Sequence, residues 1–473
     1  MVFSSHIFIF YFLALILGVY YFSPHRLRHL VLTLGSYFFY AWWNPWFVLL
    51  MITSTIIDFT CGKVIYNANS KTHYQKLGLS ISIISNLSIL GFFKYGGFFS
   101  ENVSALALGL GLGEIALPTF FKEIILPIGI SFYTFQSMSY TIDIYRRHAK
   151  PATDFLSFAC YVSMFPQLVA GPIVRYSDIA NQLKQRIHSA GTFVYGFTRF
   201  NYGFAKKILL ANPVGEVADL CFSAGELSLS APVAWIGICF YSFQIYFDFS
   251  AYSDMAIGLG RMFGFRFNEN FDSPYKSKSI TEFWRRWHIS LSSFLRDYLY
   301  IPLGGNRKGK SRTYFNLIFV MFLGGLWHGA QWTFIAWGII HGSFLVIERL
   351  FRNSSIFRNI PNLIKASFTF TVVLLAWVFF RAENFDRAFI YLSSMFGTGG
   401  SSESSGILLS QATRPIVWLM AVISIIFIFA IPNSGQFLKR LTRTKVSIGL
   451  LLLVLSISFM FAQDFNPFLY FQF

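Results

Sequence analysis

Apolar stretches of roughly 15–30 residues follow one another along the whole chain, and that pattern confines it to lipid. Inside a bilayer no water satisfies a backbone N–H or C=O, so a spanning segment must be a helix or part of a closed barrel. The runs fall at 5–22, 31–60, 77–93, 121–142, 155–173, 190–212, 231–260, 314–347, 366–380, 414–432 and 447–463. Their lengths predict helices. The fold expected is all-α: a polytopic membrane bundle of about eleven spans, with re-entrant or amphipathic helices, around a central tunnel. Residues 1–473 read as a single integral membrane domain.

Charged residues are only 12% of the chain and hydrophobic ones 55%, whereas soluble domains carry roughly 25% charged residues. The net charge of +17 comes from basic residues scattered between apolar runs. That distribution fits positive-inside loops and contact with anionic membrane lipid, and it argues against nucleic-acid binding. Basic segments at 63–76, 146–150, 206–207, 307–312, 381–387 and 439–445 are expected to face the cytoplasm, and the Gly/Ser stretch 397–406 the outside. The run 5–22 has neither a basic leader nor a small-residue cleavage site, so it reads as a retained helix. Trp42-Trp43-Asn44-Pro45-Trp46 interrupts the second run and can divide it in two, and the Gly-rich 104–120 reads as a short or re-entrant piece. Cys61, Cys160, Cys221 and Cys239 form no C-x-x-C pair and read as small buried hydrophobes.

The region 280–312 differs. Ser279-Ile-Thr-Glu282 matches the S-x-x-E capping box, and Trp284, His288, Leu291, Leu295 and Tyr298 follow at helical spacing. With Arg285, Arg286 and Arg296 off that stripe, the spacing predicts one amphipathic helix in the interface or along a cavity, ended by Ile301-Pro302. Gly304 to Lys310 then makes a basic turn. It lacks the G-x-x-x-x-G-K-[ST] spacing, so a plain cytoplasmic turn competes with a contact for cofactor phosphates.

His328, in Leu-Trp-His-Gly, lies inside the apolar run 314–347. An ionisable group there is a candidate functional site. A neutral imidazole can take a proton from a hydroxyl or thiol near neutral pH. On a helix it projects near Gln331 and Trp332, and Gly324, Gly325 and Gly329 allow close packing or leave room for a substrate. A core histidine bonded to a neighbouring helix explains the same residue equally well. His288, in Trp-Arg-Arg-Trp-His, is either an interfacial histidine or a second polar group on the same cavity. His341 is thirteen residues beyond His328, so on a straight helix it points away, to a packing or supporting role. Asp248 and Asp254 interrupt 231–260, either as ion pairs fixing helix packing or as groups that position an arginine or a histidine or relay protons. No G-x-S-x-G elbow, H-E-x-x-H or cysteine cluster is present, so no metal is expected.

The stretch from Glu282 to Arg312, with Leu326 to Gly342, Phe165-Pro-Gln-Leu-Val-Ala-Gly-Pro172 and Tyr246-Phe-Asp-Phe-Ser-Ala-Tyr-Ser-Asp254, resembles the membrane-bound O-acyltransferase family. The ending, Asn466 to Phe473, is similar to its bacterial alginate O-acetylation branch. The resemblance implies an inner-membrane, multi-pass acetyltransferase. Acetyl-CoA on the cytoplasmic side is the acyl donor, and a periplasmic SGNH-type acetyltransferase or esterase passes acetyl to an exported polysaccharide acceptor. It places the chemistry at His328 and His288, and the donor near Trp284, Arg285, Trp287, Asn306, Arg307 and Trp327. Peptidoglycan O-acetylation and teichoic acid D-alanylation are the alternatives within the family. Outside it stand a lipid-linked sugar transporter, for which no inverted repeat is visible, and a scaffold for export machinery.

Overall fold

A computed structural model of the chain describes residues 1–68, 71–113, 124–352, 354–399 and 403–463, the side chains of 356, 357 and 403 excepted. The described residues form helices and turns, with no strand among them. They divide into two compact units, Met1–Phe197 with Ala256–Asn268, and Thr198–Met255 with Glu269–Phe473.

The first unit carries α1 (Leu13–Phe22, led in by a π turn at Ile7–Phe12), α2 (Arg28–Ala41), α3 (Trp46–Asn67) and α4 (Thr72–Gly109). There follow α5 (Ile130–Tyr145), α6 (Phe155–Ser163), α7 (Phe165–Leu168), α8 (Tyr176–Lys184) and the start of α9 (Ala190–Ala205). The second apolar run is divided at Trp42–Pro45, as its proline predicts. The fifth breaks at Met164, and Pro166 sits in the first turn of α7, where its missing N–H costs nothing. The first residues of the run 121–142, most of the Gly-rich 104–120 beyond α4, part of 397–406 and the ending 466–473 lie outside the described residues.

Inside α3, Asp58 is fully buried. Its carboxylate accepts hydrogen bonds from Ser82 Oγ (2.6 Å), Asn86 Nδ2 (2.8 and 3.0 Å) and Ser137 Oγ, so one side chain ties α3 to α4 and α5. Such interhelical bonds average about 0.6 kcal/mol in membrane proteins. Asp58→Ala, which strands these donors, should therefore cost roughly 2 kcal/mol and lower the melting temperature in detergent, with Asp58→Asn losing less.

The second unit continues with α10 (Asn212–Phe222), α11 (Ala231–Met262), α12 (Ile280–Arg286), α13 (Ile289–Leu295), α14 (Lys310–His328) and α15 (Trp332–Phe351). After these come α16 (Ser355–Asn359), α17 (Asn362–Arg381), α18 (Phe385–Met395), α19 (Glu403–Ala412), α20 (Pro415–Ile425), α21 (Ser434–Phe437) and α22 (Arg443–Ala462). Among the described residues, α3, α4, α15, α17 and α22 are each long and apolar enough to cross a bilayer, and α19 with the helix from Pro415 forms a bent pair that adds a sixth.

Three local readings are corrected. The run 314–347 is a hairpin, α14 against α15, rather than one helix. Gly329 ends α14 in extended backbone, and bare glycines let the arms close. A Cβ on Gly325 would stand 2.2 Å from Phe334 O, and one on Gly338 2.2 Å from Met321 O. These glycines are packing surfaces, and a Cβ on Gly329 would meet the Phe334 ring at 2.1 Å, so no room for a substrate opens there.

The amphipathic helix after Ser279 is also broken. The N-cap arm of its capping box forms, with Ser279 Oγ accepting from Glu282 N (3.0 Å), while the Glu282 carboxylate accepts from Lys278 N (3.0 Å), one residue before the cap. The helix stops at Arg286, and His288 takes a left-handed φ of 43° before α13 resumes. The backbone groups released by the break pair with the segment before it: Asp272 N donates to Arg286 O and Ile289 N to Asn270 O, both at 2.9 Å. Tertiary pairing here overrides helical periodicity.

Lys206 and Lys207 are not in a cytoplasmic loop. The helix runs on through a π turn, Lys206–Ala211, and both lysines turn inward. Lys206 pairs with Asp254 at 2.7 Å and Lys207 with Asp248 at 2.5 Å. Arg199 Nε also donates to Asp254 (2.8 Å), and its Nη2 to Glu269 (2.7 Å). The packing reading of the two aspartates is the one the geometry bears out, because each carboxylate is consumed by a cation on the preceding helix.

Candidate active site

The hairpin turn sets His328 at the end of α14. The ring is boxed by Trp327 (centroids 5.0 Å apart), Trp337 (5.1 Å) and Phe380 (5.1 Å). It remains 7% exposed. The chain reverses immediately after the histidine, which brings Trp337 of α15 and Phe380 of α17 onto the ring.

That reversal also corrects His341. It does not point away from His328: its ring lies 4.9 Å from Trp337, the same indole that walls His328. Its Nδ1 accepts from Trp284 Nε1 (3.3 Å), so the ring proton sits on Nε2. His341 thus supports the box from behind.

His288 is sealed, with 0% exposure. Phe249 packs edge-on at 4.7 Å and Trp327 lies 6.1 Å away, so one indole separates His288 from His328. Burial, with no charged partner, lowers its pKa to about 3 and keeps the ring neutral. Its Nδ1 faces Asn270 Oδ1 at 3.2 Å.

Two cavities open beside this aromatic cluster. One, of about 690 Å³, is lined by Arg285, Arg286, Arg349 and Arg352 together with Glu282, Glu348 and Asp272. Arg286 is neutralised by Glu282 (2.8 Å). Glu348 is spent on the N-terminus of α12, accepting from Ile280 N, Thr281 N (3.0 Å) and Thr281 Oγ1 (2.9 Å). Among the described residues no carboxylate pairs with Arg285, Arg349 or Arg352, so the rim carries net positive charge. The second cavity, of about 400 Å³, shares Arg285 and Arg349 with the first and is walled by Trp284, Tyr300, Leu317, Val320 and Met321. Trp284 packs on Trp337 at 5.6 Å, so the wall of this cavity is in contact with the wall of the His328 box.

Of the residues expected to hold a donor, Trp284 and Arg285 line these cavities, and Trp327 stands between the two histidines. Trp287 is buried against Trp377 (5.2 Å) and Phe271 (5.1 Å) as core. Asn306 and Arg307 are exposed on the basic turn and line neither cavity; the turn is held to α14 by Asn316 Nδ2, which donates to Gly305 O (3.0 Å). Arg349 and Arg352 escaped the sequence reading. Their signal was an i, i+3 arginine pair closing an apolar helix. Trp337 and Phe380 gave none, since only the tertiary fold brings them to His328.

The chain is similar over its whole length to known proteins. The sequence profile of the membrane-bound O-acyltransferase family matches residues 145–382. A probable alginate O-acetylase, AlgI, of Azotobacter vinelandii is 42% identical over 507 residues, covering 100% of both chains. A peptidoglycan O-acetyltransferase of Helicobacter pylori is 37% identical, covering 93% of this chain and 91% of that one. A teichoic acid D-alanyltransferase of Streptococcus thermophilus is 32% identical over 47% of this chain and 56% of its own.

Proposed function

The chain belongs to the membrane-bound O-acyltransferase family, and we propose that it O-acetylates an exported, alginate-like polysaccharide from the inner membrane. It is an O-acyltransferase and a multi-pass membrane protein. In this reading cytoplasmic acetyl-CoA is the donor, and a periplasmic SGNH-type acetyltransferase receives the acetyl group and esterifies the polymer.

The observation that carries the reading is the contact of a boxed, barely exposed imidazole, His328, through Trp337 and Trp284 with an arginine-rimmed cavity. That cavity, of about 400 Å³, shares Arg285 and Arg349 with the neighbouring one of about 690 Å³ that Arg352 also lines, and both are within the size range of small-molecule and cofactor sites. Arg285, Arg349 and Arg352 match the phosphates of a nucleotide-type donor, because guanidinium forks bind phosphate oxygens in pairs. The His328 ring takes the proton of the acceptor hydroxyl. The hydroxyl oxygen bonds to the acetyl carbon, the carbon–sulfur bond breaks, and the imidazolium returns the proton to the leaving thiolate. General-base help supplies about 10²–10⁴-fold, and alignment of thioester and hydroxyl in the box supplies the remainder. The aromatic walls keep water from hydrolysing the thioester.

Mass analysis of envelope polymers from a deletion strain tests the reading. Acetyl ester should disappear from the exported polysaccharide and return with the gene supplied in trans. Loss from peptidoglycan instead, the acceptor named for the Helicobacter pylori relative, would reassign the acceptor while keeping the transfer chemistry. Unchanged acetylation of every polymer, with a sugar lipid stalled on one leaflet, would replace it with transport.

A further inference from the structure

Three groups converge on one atom beside His288. Asn270 Oδ1 is 3.2 Å from Ser290 N, 2.9 Å from Ser290 Oγ and 3.2 Å from His288 Nδ1. A backbone N–H can only donate, so the amide atom facing Ser290 N must be oxygen, and the orientation of the Asn270 amide follows from the chain itself. That oxygen cannot donate. The His288 nitrogen facing it therefore carries the ring proton.

The opposite nitrogen is then a bare acceptor. Among the described residues His288 Nε2 has no hydrogen-bond partner, and the ring that bears it packs against Trp327, which also packs against His328. The main chain of Asn270 grips the same turn, its carbonyl accepting from Ile289 N at 2.9 Å. One residue thus holds both the left-handed backbone of His288 and its ring.

We propose that Asn270, seconded by Ser290, is a positioning residue that locks His288 as the Nδ1–H tautomer and so leaves Nε2 an acceptor within the aromatic cluster that walls His328. The role in transfer rests on the O-acetyl-transfer reading above; the tautomer itself does not. The surroundings of the ring are Phe249 from α11, Trp327 from α14, and Asn270 and Ser290; no charged side chain touches it among the described residues. A charged cluster, Arg199, Lys206, Asp254 and Glu269, lines a small polar cavity that Asn270 also lines.

The test uses the full-length chain in nanodiscs with ¹⁵N-labelled histidine. The His288 resonances, identified by their loss in His288→Gln, should show a protonated Nδ1 and an unprotonated Nε2 at neutral pH. Asn270→Asp keeps an acceptor for every donor and adds a charge, which raises the imidazole pKa. The acid limb of kcat/KM should then move up by about one pH unit or more. Asn270→Ala frees the ring, and kcat should fall at least about tenfold with KM for acetyl-CoA nearly unchanged. A protonated Nε2 in the unmodified protein overturns the proposal even if transfer is intact. So does an unmoved pH profile in a folded Asn270→Asp. Transfer that survives His328→Ala would instead overturn the active-site reading, with the tautomer still standing on its spectrum.

Discussion

His328→Ala should leave the protein at normal levels in the membrane and reduce acetyl ester on the product by about 10²-fold or more. The magnitude follows from what the ring does. No other imidazole occupies the box of Trp327, Trp337 and Phe380. His288 lies beyond Trp327 and is wholly buried, and His341 is tied to Trp284 by its Nδ1. Neither can reach in to replace the lost base without unpacking an indole. His328→Gln keeps hydrogen-bonding capacity without proton exchange and should be as inactive, which separates proton transfer from simple orientation. The measurement is acetyl per polymer residue, with membrane abundance read on the same cultures. Full acetylation in either variant would refute a chemical role for the ring.

That this histidine is a candidate was legible in the sequence, because an imidazole in an apolar run is expensive unless used or paired. Where it would sit was not. Periodicity sees one run from 314 to 347 and has no means of weighing Gly329 against its helical neighbours; the fold closes a hairpin because Gly325 and Gly338 admit backbone contact between arms. The same blindness affected His341, whose distance from His328 along the chain is a poor guide once the chain reverses. The capping box at Ser279 was readable, being local, while the break at His288 was not, being made by Asn270 and Asp272 from an earlier segment. Asp254 and Asp248 were legible as buried carboxylates, but their partners, Arg199, Lys206 and Lys207, lie about 40–55 residues away. Charge patterning assigns lysines to loops; the cost of an unpaired buried carboxylate drew these two into the bundle.

Replacing Arg349 and Arg352 together with alanine should raise KM for acetyl-CoA at least about tenfold while leaving kcat within about twofold. A tenfold loss corresponds to about 1.4 kcal/mol, a modest expectation for two guanidinium–phosphate contacts at a solvent-open rim. The two side chains stand on the last turn of α15 and just beyond it, on the cavity that also takes Arg285. Neither is committed to a carboxylate among the described residues, because Glu348, immediately before Arg349, caps α12. The decisive comparison is with a truncated donor, S-acetyl-N-acetylcysteamine, which has the thioester but no phosphates. The wild-type protein should use it poorly, and the double variant should use it just as poorly, since the contacts removed are absent from that substrate. A matching loss on both donors would show that the arginines act on the fold or on the acetyl-bearing end, and would move phosphate recognition elsewhere, to the exposed turn bearing Arg307 in the first instance. Raised salt should erode the wild-type advantage for acetyl-CoA and leave the truncated donor untouched, because exposed charge pairs are screened within about 10 Å at 0.1 M ionic strength.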